Sequence, residues 1–273
     1  MQVEVLFLAL VFGLHIIGVN VGIALATYIP LLKRRAELKG DSGLMELARG
    51  LFRIYAATYG LAGVLGTAFT VFLLSFYPQF LGVAGNITMV PFGISIVAIV
   101  LHFFAITAYW YGWDNFTQKE HFYTGVLLAF TAYLIPLGFR AVFAFLNTPV
   151  GLSFAGKPTL DVLAALTNPT FLPLYLKSIV GALTLGSLFI SAVIAFKALR
   201  GEKLSEAERT LYRTGLSWSL VGLFAMSLFG PWYALSLTVT PIKFNNIFGG
   251  LGFESLAYPT TANYTWLFDI KLL

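Results

Sequence analysis

The stretch VLFLALVFGLHIIGVNVGIALATYIP, residues 5–30, decides the fold class, because it is apolar for long enough to cross a lipid bilayer. Further stretches of this kind follow at about 54–78, 88–112, 122–146, 173–197 and 214–237. Of the 273 residues, 58% are hydrophobic and 11% are charged, whereas soluble domains carry about 25% charged residues. The sequence therefore predicts an all-α, polytopic membrane bundle of about six transmembrane helices.

Basic residues are concentrated in two connections, which predicts the orientation in the membrane. KRRAELKGDSGLMELARGLFR (33–53) follows the first span, and KALRGEKLSEAERTLYR (197–213) follows the fifth. By the positive-inside rule the first, third and fifth connections face the cytoplasm, and the N-terminus faces outward. Within the second stretch, Ser205 and Glu208 have the spacing of a capping box, so we expect a helix to begin there.

The composition also excludes several classes of chemistry. The chain has no cysteine, which excludes disulfides, zinc–thiolate sites and iron–sulfur ligation and leaves histidine as the strong nitrogen donor. The net charge of +5 comes from short connections and indicates no nucleic-acid partner. The first apolar run lacks a basic leader and a cleavage site, so we interpret it as a retained helix. Motifs of soluble enzymes are absent.

Two of the three histidines lie deep inside apolar runs. His15 is about 15 Å into the first span and His102 about 21 Å into the third, at 1.5 Å per residue. An ionisable side chain at such depth is costly and indicates a functional site. His121 lies beside Lys119 and Glu120 at the end of the third connection, where we expect an exposed imidazole with a structural or interfacial role.

Two short motifs carry a family resemblance. GWDNFTQKEH (112–121) ends the third span, and NTPVG (147–151) follows one helix later. This pair resembles the GWD-x6-H and N-(T)-P-V-G segments of the large subunit of cytochrome bd-type quinol oxidases. His15 is similar to that family's first-helix histidine, and TPIKFNNIFGG (240–250) looks like a degraded form of its quinol-loop motif. The resemblance implies a helical subunit in a prokaryotic cytoplasmic membrane, passing electrons from quinol through haem.

The departures from the family pattern are informative. The family has two glutamates before GWD on its third helix, and those positions here are Ile94 and His102. The family's low-spin haem b uses a histidine on the fifth helix, yet no histidine follows His121 in this chain. The resemblance therefore implies one half of a split large subunit, or a paralogue that has lost chemistry.

Three intramembrane residues are the candidates for cofactor binding. His15 is the candidate ligand of a haem b iron, with its other ring nitrogen held by Asn20 or by a backbone carbonyl. His102 is a second candidate haem ligand or a proton relay, and the alternative is a hydrogen-bonded packing histidine. Arg140 can pair with a haem propionate, or extend outward to a lipid phosphate.

The last part of the chain carries the candidate quinol site. Lys243 matches the family lysine, and with Asn245 and Asn246 it can hydrogen-bond a quinol head group. The family glutamate five residues later is replaced by Phe248, which weakens this assignment. We divide the chain into a helical bundle (1–237) and an extracytoplasmic tail (238–273), with a seventh or re-entrant segment as the alternative for the tail.

Three functions from different classes follow. The first is a haem-containing subunit of a bd-like, quinol-linked electron-transfer complex, working with other membrane subunits: a second bd-like chain or a subunit II-like chain. The second is a haem-free subunit that keeps the fold and scaffolds a catalytic homologue. The third, a transporter or channel, is disfavoured because the spans contain few charges or breaks.

Overall fold

The computed structural model describes residues 3–76, 79–148, 150–153, 159–161, 163–164 and 167–239. Long helices make up nearly all of this part of the chain. They are α1 (Val3–Lys39), α2 (Ser42–Phe76), α3 (Gln79–Gly112), α4 (Gln118–Asn147), α5 (Phe171–Leu199) and α6 (Glu206–Ser236). A two-residue antiparallel pair, β1 (Leu152–Ser153) and β2 (Thr159–Leu160), lies between α4 and α5, and a 3-10 turn (Leu237–Val239) follows α6.

All six of these helices are long and apolar enough to cross a membrane. The prediction of an all-α bundle with six spans is therefore confirmed. The division into a bundle and a tail stays a prediction, since 240–273 lie outside the described residues.

The bundle is built around α1. Helices α1 and α2, α3 and α4, and α5 and α6 form adjacent pairs, and α1 also packs against α4 and α5. The second half of α1 is the most buried part of the bundle, with Ala24, Leu25 and Ile29 almost fully enclosed. Many side chains on the outer faces of the other helices are large, apolar and exposed, as expected of surfaces in contact with lipid tails.

The connections on the basic side are shorter than the sequence suggested. Residues 33–39 continue α1 and residues 42–53 begin α2, so only a tight turn separates the two helices. Gly40 makes this turn possible, because its φ of 62° lies in the left-handed region that favours glycine. Most of the basic residues on that side are therefore held on rigid helix ends.

The predicted capping box at Ser205 is confirmed. The Ser205 hydroxyl accepts from the Glu208 backbone N–H at 3.1 Å, and the Glu208 carboxylate accepts from the Ser205 backbone N–H at 2.7 Å. The Glu208 carboxylate also pairs with Lys197 at 2.6 Å, which ties the start of α6 to the end of α5. Capping satisfies backbone donors that the first helical turn otherwise leaves without partners.

Candidate functional site

The His15 ring is fixed through one nitrogen. Its Nδ1 lies 2.7 Å from the carbonyl oxygen of Ala62 on α2. A carbonyl can only accept, so Nδ1 carries the proton and Nε2 of the neutral ring keeps its lone pair. Among the described residues, Nε2 has no hydrogen-bond partner. The partner that orients His15 is thus a backbone carbonyl, and not the side chain of Asn20.

A glycine on α2 makes room for this ring. A Cβ atom placed on Gly66 would lie 2.7 Å from Cε1 of His15, closer than real Cβ contacts come. On the other side, Phe12 lies one turn away along α1, packed against Phe69 at 4.8 Å between ring centroids. The imidazole is half-buried between α1 and α2, and its orientation depends on the absence of a side chain at Gly66.

His102 is surrounded by protein partners. Its side chain is 1% exposed, its Nδ1 lies 2.6 Å from Oγ1 of Thr131 on α4, and its Nε2 contacts the hydroxyl of Tyr55 on α2. The Thr131 hydroxyl donates to the Leu127 carbonyl at 2.8 Å, so it must accept from Nδ1–H. Nε2 of the neutral ring then accepts a hydrogen bond from the Tyr55 hydroxyl. Both nitrogens of His102 are therefore used inside the protein.

The exposed position expected for His121 is wrong. The side chain is 1% exposed, because the turn after α3 folds it back between Tyr109 and Trp113, whose rings lie 4.1 and 5.4 Å away. Its Nε2–H donates to the Tyr109 carbonyl at 2.9 Å. Thr117 and Glu120 form a second capping box at the start of α4. The GWD-x6-H segment thus stabilises the α3–α4 turn through four of its residues: Trp113, Thr117, Glu120 and His121.

The same end of the bundle holds a buried ion pair. Lys33 and Glu37 lie 2.5 Å apart, with side chains 8% and 5% exposed. Lys33 also lies over the ring of Trp113 at 5.3 Å. Arg49 pairs with the exposed Asp114 and lies 5.6 Å from the same indole ring. The tryptophan of the GWD motif is therefore held between cations from α1 and α2.

Arg140 lies at the opposite end of the bundle. Its guanidinium carbon is 5.6 Å from the Phe143 ring, and the side chain is half-buried. The structure brings Phe143 within 6.1 Å of Phe12, ring to ring. Helices α1 and α4 run in opposite directions here. Phe12 comes about one turn before His15 and Phe143 about one turn after Arg140, so His15 and Arg140 lie at a similar depth. His102 belongs to a separate group between α2, α3 and α4.

Sequence reasoning missed several residues of these groups. Lys177 on α5 lies 4.8 Å from the Tyr233 ring on α6. A charged residue inside a predicted span is a recognised signal, so Lys177 could have been found. Tyr55, Thr131 and Gly66 could not, because only the packing of separate helices brings them to a histidine. The quinol-site candidates, Lys243, Asn245 and Asn246, lie outside the described residues.

Comparison with known proteins places these residues in a family context. The family model described as cytochrome bd terminal oxidase subunit I matches residues 6–248. A provisionally named cytochrome bd menaquinol oxidase subunit I of Bacillus subtilis strain 168 is 28% identical over 222 residues, covering 78% of this chain and 49% of the relative. A cytochrome bd ubiquinol oxidase subunit 1 of the same organism is 26% identical over 196 residues, covering 70% and 41%.

A solved structure has the same fold. The bd oxidase from Geobacillus thermodenitrificans matches with a TM-score of 0.82 at 22% identity, over 89% of this chain and 57% of the matched chain. The chain thus spans about half the length of the curated relatives it matches.

Proposed function

The chain belongs to the cytochrome bd terminal oxidase subunit I family, and from this premise we propose that it is a membrane subunit of a quinol-linked electron-transfer complex that binds one haem b through His15. One observation carries the haem assignment: the His15 ring is oriented through Nδ1 and keeps the lone pair of Nε2 free. This is the usual state of a histidine that ligates haem iron.

The donor set within the described residues fits a haem better than a bare metal ion. No three His, Cys, Asp or Glu side chains gather there as a metal-ion site. A haem brings its own ring nitrogens, so His15 alone would hold the haem iron on the side of this chain. When bound, haem supplies a one-electron carrier within the membrane. The protein orients the imidazole through Ala62 and leaves space for it at Gly66.

Arg140 is left out of this assignment, because its guanidinium contacts the Phe143 ring at 5.6 Å and has no hydrogen bond to His15 among the described residues. The earlier expectation that Arg140 pairs with a haem propionate stays a prediction. So does the expectation that His102 ligates haem, to which the geometry adds that both of its nitrogens already have protein partners.

Partner subunits are part of the proposal. Since Ile94 and His102 stand where the family pattern has its two third-helix glutamates, we assign the work of those carboxylates to another membrane chain. That chain is a second bd-like subunit or a subunit II-like one. Lys243, Asn245 and Asn246 remain the candidates for contact with quinol, and the cytoplasmic membrane the proposed location.

The second candidate function is a haem-free scaffold, and the His102 group favours it. At the position where the family has a glutamate, the protein itself satisfies both imidazole nitrogens through Tyr55 and Thr131. A subunit with this group would stabilise the fold of a complex whose haems lie in the partner chain.

The experiment that separates these functions measures haem directly. The chain is purified from membranes together with its partner subunits, and haem b per complex is determined by pyridine haemochrome assay and by the reduced-minus-oxidised spectrum. We expect His15→Ala to lose one haem b while the complex still elutes as one species. Unchanged haem content in His15→Ala would exclude this ligand.

A glycine pair supplies a matched control. In Gly66→Ala the new methyl group meets the His15 ring at 2.7 Å and must displace it, whereas Gly63→Ala on the same helix meets nothing within 4 Å. We expect the first variant to lower haem content and the second to leave it unchanged. If both variants keep full haem, the orientation of His15 does not matter for binding, and His15 is not the ligand; absence of haem from the parent complex is the result that favours the scaffold function.

A further inference from the structure

Two cations from neighbouring helices lie at the end of the bundle opposite the basic connections. Arg140 lies about two helical turns before the end of α4, and Lys177 about two turns after the start of α5. The end of α4 reaches Tyr233 on α6, whose hydroxyl accepts a hydrogen bond from Asn147. The ammonium of Lys177 also lies 4.8 Å from the Tyr233 ring on α6. Three helices therefore converge on one small polar region.

These two cations have no counter-ion within the described part of the chain. Each ion pair there joins other residues, on the basic side of the bundle. Both side chains are half-buried among apolar and aromatic neighbours. Because a charge removed from water is costly unless it is paired, two like charges placed together there favour binding of an anion.

A third donor points to the same region. The amide of Asn147, at the end of α4, donates to the hydroxyl oxygen of Tyr233 at 2.9 Å. This bond orients the phenol and leaves its own proton to donate, since the described residues offer it no acceptor. An oxygen anion can thus receive one neutral and two charge-assisted hydrogen bonds, from Tyr233, Arg140 and Lys177.

The depth of the group identifies the class of anion. At about 1.5 Å per residue, both cations begin about 10 Å from the helix ends, and their long stems carry the charges toward the membrane surface. The guanidinium of Arg140 lies beside Phe143, one turn nearer the end of α4. Trp232 and Tyr233 mark this level as the aromatic belt beside the lipid headgroups.

We propose that Arg140, Lys177 and Tyr233 form a binding site for the phosphate of an anionic phospholipid, on the membrane side opposite the basic connections. The site shares no residue with the contacts that orient His15, Ala62 and Gly66, and the proposal does not depend on whether haem is bound. An anionic lipid held there neutralises the two cations and links α4, α5 and α6.

The test is lipid titration of the delipidated complex in detergent, followed by native mass spectrometry and thermal unfolding. Phosphatidylglycerol, phosphatidylcholine and inorganic phosphate are the three probes. We expect phosphatidylglycerol to bind and to raise the Tm, the other two having little effect. Arg140→Gln or Lys177→Gln should each weaken phosphatidylglycerol binding about tenfold, as expected for loss of a charged hydrogen bond. Tyr233→Phe should weaken it less.

Two controls make the outcome decisive. Arg53→Gln removes an exposed cation from α2 at the other end of the bundle and should leave the affinity unchanged. Arg140→Lys keeps the charge and reports on binding if the glutamine variant does not fold. Equal binding of phosphatidylcholine, or of phosphatidylglycerol by all variants, overturns the proposal. If inorganic phosphate has the same effect as phosphatidylglycerol, the site binds the free ion. If Arg140→Gln loses haem while lipid binding is unchanged, Arg140 pairs with a haem propionate. Either result also overturns it.

Discussion

At the scale of the residue, the three histidines differ in what their ring nitrogens do. His15 gives one nitrogen to a backbone carbonyl and keeps the other free. His102 uses both nitrogens, on Tyr55 and Thr131. His121 donates to the Tyr109 carbonyl and fixes the turn between α3 and α4. Burial follows these roles, since His102 and His121 are each 1% exposed and the half-buried His15 is the imidazole that is available to a ligand.

The His102 group predicts a sharp stability effect. In Thr131→Val the volume is kept, but the buried Nδ1–H loses its acceptor. Leaving a buried donor unsatisfied costs about 1–3 kcal/mol, so we expect a clear fall in Tm for the purified complex. The matched change is Thr67→Val on α2, where an exposed hydroxyl bonds only to the carbonyl one turn earlier. That variant should stay within about 0.5 kcal/mol of the parent, and equal Tm values for both variants would argue against the network.

At the scale of the helices, close approach at small residues holds the pairs together. A Cβ atom on Gly138 of α4 would lie 2.0 Å from the backbone carbonyl oxygen of Pro91 on α3. Ser95 inserts its hydroxyl into the α4 ladder next to this contact, donating to Ile135 at 2.8 Å and accepting from the Phe139 N–H at 3.1 Å. In lipid, packing and interhelical hydrogen bonds must hold helices together, because the solvent is as apolar as the side chains.

The α3–α4 contact is testable with a second pair of glycines. Gly138→Ala forces the two backbones apart, and we expect destabilisation of about 1–3 kcal/mol from overpacking. Gly93→Ala on α3 meets nothing within 4 Å, so it should be neutral or slightly stabilising, since alanine favours helix by about 1 kcal/mol over glycine. Thermal unfolding of the two variants checks this. A fully stable Gly138→Ala variant would mean that α3 and α4 do not approach so closely.

At the scale of the whole molecule, charge and burial are distributed unequally between the two ends. The basic side carries the buried Lys33–Glu37 pair and the Arg49–Asp114 pair. The other side carries Arg140 and Lys177, which have no acidic partner among the described residues. We propose that the basic side faces the cytoplasm, as the positive-inside rule requires.

The orientation can be measured without any background correction, because the chain has no cysteine. Lys203→Cys places a thiol between α5 and α6 on the basic side, and Asp161→Cys places one between α4 and α5; both positions are exposed. We expect a membrane-impermeant maleimide to label the thiol at position 161 in intact cells, and the one at position 203 only after lysis. The reverse pattern would show that the N-terminus faces the cytoplasm.

The sequence alone was enough to find four features, because each depends on residues that are adjacent along the chain. These are the number of helices, their apolar character, the cap at Ser205 and the family resemblance. His15 was found for the same reason, since an imidazole in an apolar run is visible without knowledge of its neighbours. The distinction between His15, His102 and His121 needed the packing of α2 and α4 against α1 and α3, because each hydrogen-bond partner lies on another helix, 12 to 47 residues away along the chain. The proposed site of Arg140 and Lys177 has the same origin: each is a single charge in its own helix, and only the folded bundle brings the end of α4 and the start of α5 together at Tyr233.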